Sequence, residues 1–194
     1  MLNFNTKILN KDNKARTTII KLNNKEINTP TFMPVATRGV LKSTPHMYLN
    51  KTQVLLSNTY HLYLQPGVDI IEKIGGLHNF INWDGVILTD SGGFQGWSLP
   101  TKILDSGISF KNIYDGSTFF MTPKLSIKTQ NILGSDIAMI FDCLININDS
   151  KEKQLEAINL TRKWGQESID NHKNNNQALF GIIQGGLHKD LREL

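Results

Sequence analysis

Cysteine is almost absent from this chain. With Cys143 alone among 194 residues, no disulfide can close internally and no cysteine cluster can hold zinc. Long apolar runs are missing too: nothing approaches the roughly 18 residues of a membrane span. The opening "MLNFNTKILNKDNKARTTII" is rich in Asn and Lys and lacks the apolar centre of a signal peptide. These absences lead us to expect a cytosolic protein in a reducing compartment, with no membrane partner. Neither GxxxxGK[ST] nor a post-strand GxGxxG occurs, which argues against triphosphate or dinucleotide binding. Charge of one sign is also lacking: 21 Lys and Arg face 17 Asp and Glu, a net +4, so the basic balance points only weakly to a polyanionic partner.

What is present reads as globular. Hydrophobic residues make up 39% and charged residues 20%, with six prolines and 15 glycines and no low-complexity linker. The length suits one domain, although single α/β barrels are nearer ~250 residues. The segment "TTIIKLNNKEINTP" predicts two short strands around Asn23-Asn24, a hairpin. Then come five short, nearly continuous apolar runs: 29–36, 53–60, 85–91, 135–142 and 178–186. Strands that are apolar on both faces suit a buried parallel sheet. Between them "TPKLSIKTQNILG" predicts a helix with Thr122 as N-cap, Pro123 in the first turn and Gly134 as stop. A second helix follows a cap at Asp149 or Ser150. The insertion 99–121 predicts another hairpin. The order βαβα, wound with right-handed crossovers, gives a parallel sheet or barrel.

In such folds ligands bind at the carboxyl ends of the strands. Asn58, Asp90, Asp142 and Gln184 close four of the five runs. Two carboxylates and two amides suit a flat ligand carrying both N–H groups and a carbonyl, such as a guanine-like base. In "LTDSGGFQ", Asp90 can exchange a proton, Gly92 and Gly93 let a ring approach the backbone, and Phe94 can stack on it. Each residue also has a plainer reading. The Gly pair can be a simple turn, Asp142 a helix cap and Gln184 a strand cap, while Asn58 can hold a loop or orient Asp90. His61, Trp97 and Trp164 read as core residues. The case for a site is the coincidence of complementary groups on four separate strand ends.

The blocks "TPTFMPVATRGVLK", "LSNTYHLYLQPG", "GGLHNFINWDGVILTDSGGFQGWSL", "GISFKNIYDGS", "TPKLSIKTQNILGSDIAMIFD", "RKW" and "ALFGIIQGG", in this order, resemble the tRNA-guanine transglycosylases over nearly the whole chain after about Ala15. The resemblance implies a (β/α)8 TIM barrel with an N-terminal antiparallel cap and an inserted hairpin. It implies exchange of guanine at the wobble position of a tRNA with a GUN anticodon for a 7-deazaguanine precursor of queuosine, preQ1 in bacteria. Asp90 matches the general acid/base, and Ser91, Gly92, Gly93 and Phe94 match the base pocket. Asp142 matches the carboxylate that reads the N1–H and amine edge, and Gln184 the amide that reaches the carbonyl. Asn58 and Cys143 are expected in supporting roles.

Five candidate strands are fewer than the eight of a closed barrel. No segment matches the family's nucleophilic aspartate or its Cys/Cys/Cys/His zinc site, so we expect no cofactor in this chain and zinc only in the complete family. The expectation is therefore residues 1–194 as the N-terminal part of one barrel domain, inactive alone, with a homodimer open for the complete enzyme. Rival expectations are a non-catalytic RNA-binding subunit and a degenerate gene product. "FDCL" places Cys143 one residue earlier than the family pattern, and Lys124 and Gly96-Trp97 also depart from it.

Overall fold

The structure, a computed structural model, describes residues 1–99 and 101–194. In chain order the strands are β1 (Phe4–Asp12), β2 (Ala15–Leu22), β3 (Lys25–Thr29), β4 (Val54–Ser57), β5 (Val86–Thr89), β6 (Thr101–Leu104), β7 (Gly107–Lys111), β8 (Thr118–Met121), β9 (Ile137–Met139) and β10 (Ala178–Phe180). The helices are α1 (Thr59–Leu64), α2 (Val68–Ile74), α3 (Leu77–Ile81), α4 (Gly93–Ser98), α5 (Pro123–Leu133), α6 (Lys151–Asn171) and α7 (Lys189–Arg192).

The fold is mixed α/β. Strands β10-β9-β5-β4 form one parallel sheet; an antiparallel three-stranded sheet, β1-β2-β3, precedes it in sequence, and a second, β6-β7-β8, is inserted between β5 and β9. The N-terminal hairpin predicted from pattern is thus a three-stranded meander. Strand β1 escaped because all nine of its residues are exposed, so it carries no apolar alternation to read. The insertion is likewise a three-stranded sheet and not a hairpin; Pro100, at its start, lies outside the described residues. The run 29–36 is no strand beyond Thr29. It contributes one parallel bridge, Val35 to Leu56, because Pro30 and Pro34 lack the N–H that a ladder needs.

The helix signals translate more directly. The Thr122 hydroxyl accepts from the Leu125 N–H at 3.1 Å, Pro123 opens α5, and Gly134 closes it in the left-handed conformation. Of the two candidate caps for α6, Ser150 is the one, accepting from the Lys153 N–H at 3.4 Å.

Three apolar clusters hold these layers together. Leu22 and Ile27 of the N-terminal sheet pack with Val54, Val86, Ile137 and Ala178 at the starts of the parallel strands. Leu62, Ile71, Leu77 and Leu133 pack around Leu55 and Ile87. Trp164 of α6, fully buried, lies against Phe141 and joins Tyr60, Ile108, Phe110, Met121 and Cys143. Trp97, read as core, is 48% exposed. The six-residue α4 buries Gly93, Gln95 and Gly96, which leaves Phe94 and Trp97 outward and in tilted contact at 5.7 Å.

Candidate functional site

Asp90 follows β5 directly, and every bond it makes comes from its surroundings at the strand ends. Its Oδ1 accepts from the backbone N–H of Thr59 at 2.9 Å and of Gly92 at 3.2 Å, and its Oδ2 accepts from the Asn58 amide. Asn58 is itself held: its Oδ1 caps α1 by accepting from the His61 N–H at 3.0 Å. With the oxygen committed to the cap, only the NH2 can face Asp90. Thr59 also donates its hydroxyl to the Asp90 carbonyl at 2.5 Å. The role of Thr59 was not read from the sequence; its place between Asn58 and the rest of "NTYH" is the only signal of it.

Burial drives the Asp90 carboxyl up to about 7, against the pull of the Thr59 and Gly92 amides and of Asn58, with the charge of Asp142 adding to the rise. A carboxyl with a pKa near neutrality can give and take a proton at working pH.

Asp142, 6% exposed, comes from the loop after β9. Its Oδ1 accepts from the Ser91 hydroxyl at 3.0 Å and its Oδ2 from the Gln184 amide at 3.0 Å. Burial raises its pKa despite those two bonds. Ser91 therefore sits between the two acids, adjoining Asp90 in the chain and bonded to Asp142 in space. Its own hydroxyl accepts from the Gly93 N–H at 3.1 Å, and its carbonyl accepts from Ser126 of α5 at 2.6 Å.

The two glycines have separate steric reasons. Gly92 has φ +85°, which a side chain rarely adopts, and an added Cβ would lie 2.8 Å from the Met121 sulfur. At Gly93 a Cβ would come within 2.3 Å of Asp142 Oδ1 and 2.5 Å of its carbonyl oxygen. The backbone must be bare there for Asp142 to approach. Phe94, next in the chain, is 51% exposed.

Asn58, Asp90, Ser91, Gly92, Gly93, Asp142 and Gln184 are thus connected by bonds or chain adjacency, and Phe94 follows on α4. Cys143 adjoins Asp142 in the chain, but its side chain lies in another environment. It is 3% exposed in the apolar cluster around Trp164, its N–H donates to Thr161 at 3.0 Å, and burial and the charge of Asp142 push its thiol up to about 11. It packs in that cluster as a neutral thiol. His61, read as a satisfied core residue, is only half-buried and lines a separate cavity. Gln95 was passed over. It is 7% exposed on α4, and among the described residues its Oε1 has no hydrogen-bond partner.

Among the described residues no three His, Cys, Asp or Glu side chains converge. No helix among the described residues is long and apolar enough to cross a membrane.

The family model described as queuine tRNA-ribosyltransferase matches residues 11–194. The queuine tRNA-ribosyltransferase of Buchnera aphidicola subsp. Acyrthosiphon pisum (strain APS) is 46% identical over 198 residues, which cover 98% of this chain and 53% of that protein. The protein of the same name from Thermoanaerobacter sp. (strain X514) is 46% identical, covering 96% and 52%. That of Prochlorococcus marinus (strain MIT 9215) is 45% identical, covering 93% and 50%. The chain spans about half the length of these curated relatives.

Proposed function

Because this chain belongs to the queuine tRNA-ribosyltransferase family, we propose that its pocket binds the guanine of a tRNA and the 7-deazaguanine that replaces it. The observation that carries this reading is the Asp90–Ser91–Asp142 arrangement on bare glycine backbone, with one carboxyl poised near 7. We read the four parallel strands and the Val35 bridge as an arc of a (β/α)8 barrel, and residues 1–194 as the N-terminal part of that domain.

In this scheme Phe94 covers the face of the purine. Asp142 accepts from N1–H and the exocyclic amine, and Gln184, bonded to Asp142 through its NH2, both orients that carboxylate and reaches the carbonyl edge. Exchange needs a second carboxylate, supplied from outside these 194 residues. It attacks ribose C1′ while Asp90 gives a proton to the departing guanine, which takes the C1′–N9 electron pair, and a covalent ribosyl ester remains. Asp90 then takes a proton from the incoming base, whose nitrogen forms the new bond to C1′ as the ester carboxylate departs. Alone, the chain binds bases without exchanging them.

Titration calorimetry with guanine tests the reading. Losing Asp142 as acceptor leaves the N–H groups of a buried base unpaired, at about 1–3 kcal/mol each. Asp142→Ala should therefore weaken guanine at least about tenfold, while adenine binds poorly to both proteins. Equal guanine affinity in parent and variant would overturn it.

A further inference from the structure

Asp142 is carried by a segment that has left the sheet. Just past β9 the Ile140 N–H donates to the Phe180 carbonyl at 3.0 Å, and residues 140–145 belong to no strand or helix. Two hydroxyls of α6 take up the amides on either side of Asp142. The Phe141 N–H donates to Ser168 Oγ at 3.2 Å, and the Cys143 N–H to Thr161 Oγ1 at 3.0 Å. Positions 161 and 168 are about two helical turns apart, so both hydroxyls lie on one face of α6. On that face Trp164 is fully buried, its ring 5.0 Å from that of Phe141, and Gly165 leaves room for Ile140, whose Cδ1 an added Cβ would meet at 3.1 Å. Ser168 is fully buried and Thr161 is 4% exposed. A hydroxyl in such a place costs stability unless it is bonded. Ser168 gives its own proton to the Trp164 carbonyl at 2.8 Å, which leaves its lone pairs for Phe141.

Asp142 itself is narrowly seated. Its carboxylate meets Ser91 and Gln184 at 3.0 Å each, and its carbonyl oxygen lies 2.5 Å from where a Cβ on Gly93 would stand. Hydrogen bonds weaken as they lengthen past about 3.2 Å, so a shift of roughly 0.5 Å in this segment is enough to loosen both bonds.

We propose that Thr161 and Ser168 are positioning residues, which set the height of Asp142 over α6 and thereby the preference of the pocket for a purine bearing an exocyclic amine. The identity of the ligand rests on the proposed function; the positioning rests on the bonds to Phe141 and Cys143.

The test uses the 194-residue chain with guanine and hypoxanthine, which differ only in the exocyclic amine. Thr161→Val keeps the side-chain volume and removes the acceptor, Thr161→Ser keeps the acceptor, and Ser168→Ala is the second variant, each checked by circular dichroism. Thr161→Val and Ser168→Ala should each reduce the preference for guanine over hypoxanthine about three- to tenfold, while Thr161→Ser should match the parent. A loss of folded protein weakens both bases alike and leaves that ratio untouched. The bonds from Ser91 and Gln184 hold the Asp142 pKa down against burial, so with those bonds loosened its carboxyl should titrate higher than the parent's by carbon-13 NMR. A preference and an Asp142 titration equal to the parent's in both variants would overturn the inference, as would a Thr161→Ser that behaves like Thr161→Val. A parent without preference for guanine would strike instead at the base pocket. The Asp142 titration then decides the positioning alone, supporting it if raised in Thr161→Val and overturning it if unchanged.

Discussion

At the scale of single residues, Asp90 is pulled two ways, and Asn58 is the partner that can be removed without touching the chain around the acid. Burial favours the protonated carboxyl; the Thr59 and Gly92 amides and the Asn58 NH2 favour the carboxylate. Asn58→Ala should therefore raise the Asp90 pKa further above 7. It should also cost about 1 kcal/mol through the lost cap of α1. A carboxyl raised on folding contributes stability that is full below its unfolded value of about 3.9 and lost as pH rises through the folded value. For Asp90 that loss runs from about pH 4 to somewhat past 7, and it should extend higher in the variant. Carbon-13 titration of the Asp90 carboxyl checks this, and an unchanged or lowered pKa would contradict the assignment of Asn58.

At the scale of elements, the site depends on where β9 delivers Asp142, and β9 is only three residues long. Past Ala138 its pairing with β5 has ended, and the Gln130 side chain of α5 takes over. Gln130 Oε1 accepts from the Met139 N–H at 2.9 Å, and Gln130 Nε2 donates to the Met139 carbonyl at 2.9 Å. A side-chain amide thus stands where a strand neighbour would. Gln130→Leu keeps the bulk but leaves both backbone groups buried and unpaired, for about 2–4 kcal/mol in all. A lowered urea midpoint and faster amide exchange at Met139 are expected; unchanged stability would show that the pairing is dispensable. None of this was legible in "TPKLSIKTQNILG", where Gln130 looks like one more polar helix residue. What could be read was whatever depends on local chemistry: the cap at Thr122, the apolar runs, and the polar residues that end them. What could not be read depends on contacts distant in sequence. Strand β1 has no buried face to announce it, two prolines silence the run 29–36, and Trp97 points outward because its short helix buries its small residues.

At the scale of the whole molecule, one charged cluster ties the N-terminal sheet to the parallel one. Lys25 at the start of β3 donates to Asp136 at 2.9 Å and to the Gly85 carbonyl at 3.1 Å. His78 of α3 lies 3.0 Å from the same carboxylate, and the Ile87 N–H donates to it at 2.8 Å. Although burial pushes Asp136 up, the bonds from His78, Lys25 and Ile87 hold it below the usual carboxylate range. A depressed carboxyl contributes stability present above its unfolded pKa and lost as pH falls through the folded one. Asp136→Asn should therefore lower stability by about 1–3 kcal/mol at pH 7. It should also flatten the acid side of the urea midpoint below about pH 4, and a curve parallel to the parent's would refute this. The position of the cluster has a further consequence. It grips the strands where they begin, whereas Asp90 and Asp142 stand where they finish, so fastening and chemistry occupy opposite ends of the same short strands. Substitutions around Asp90 and Asp142 need not loosen the anchor, because the two groups share strands but no bonds.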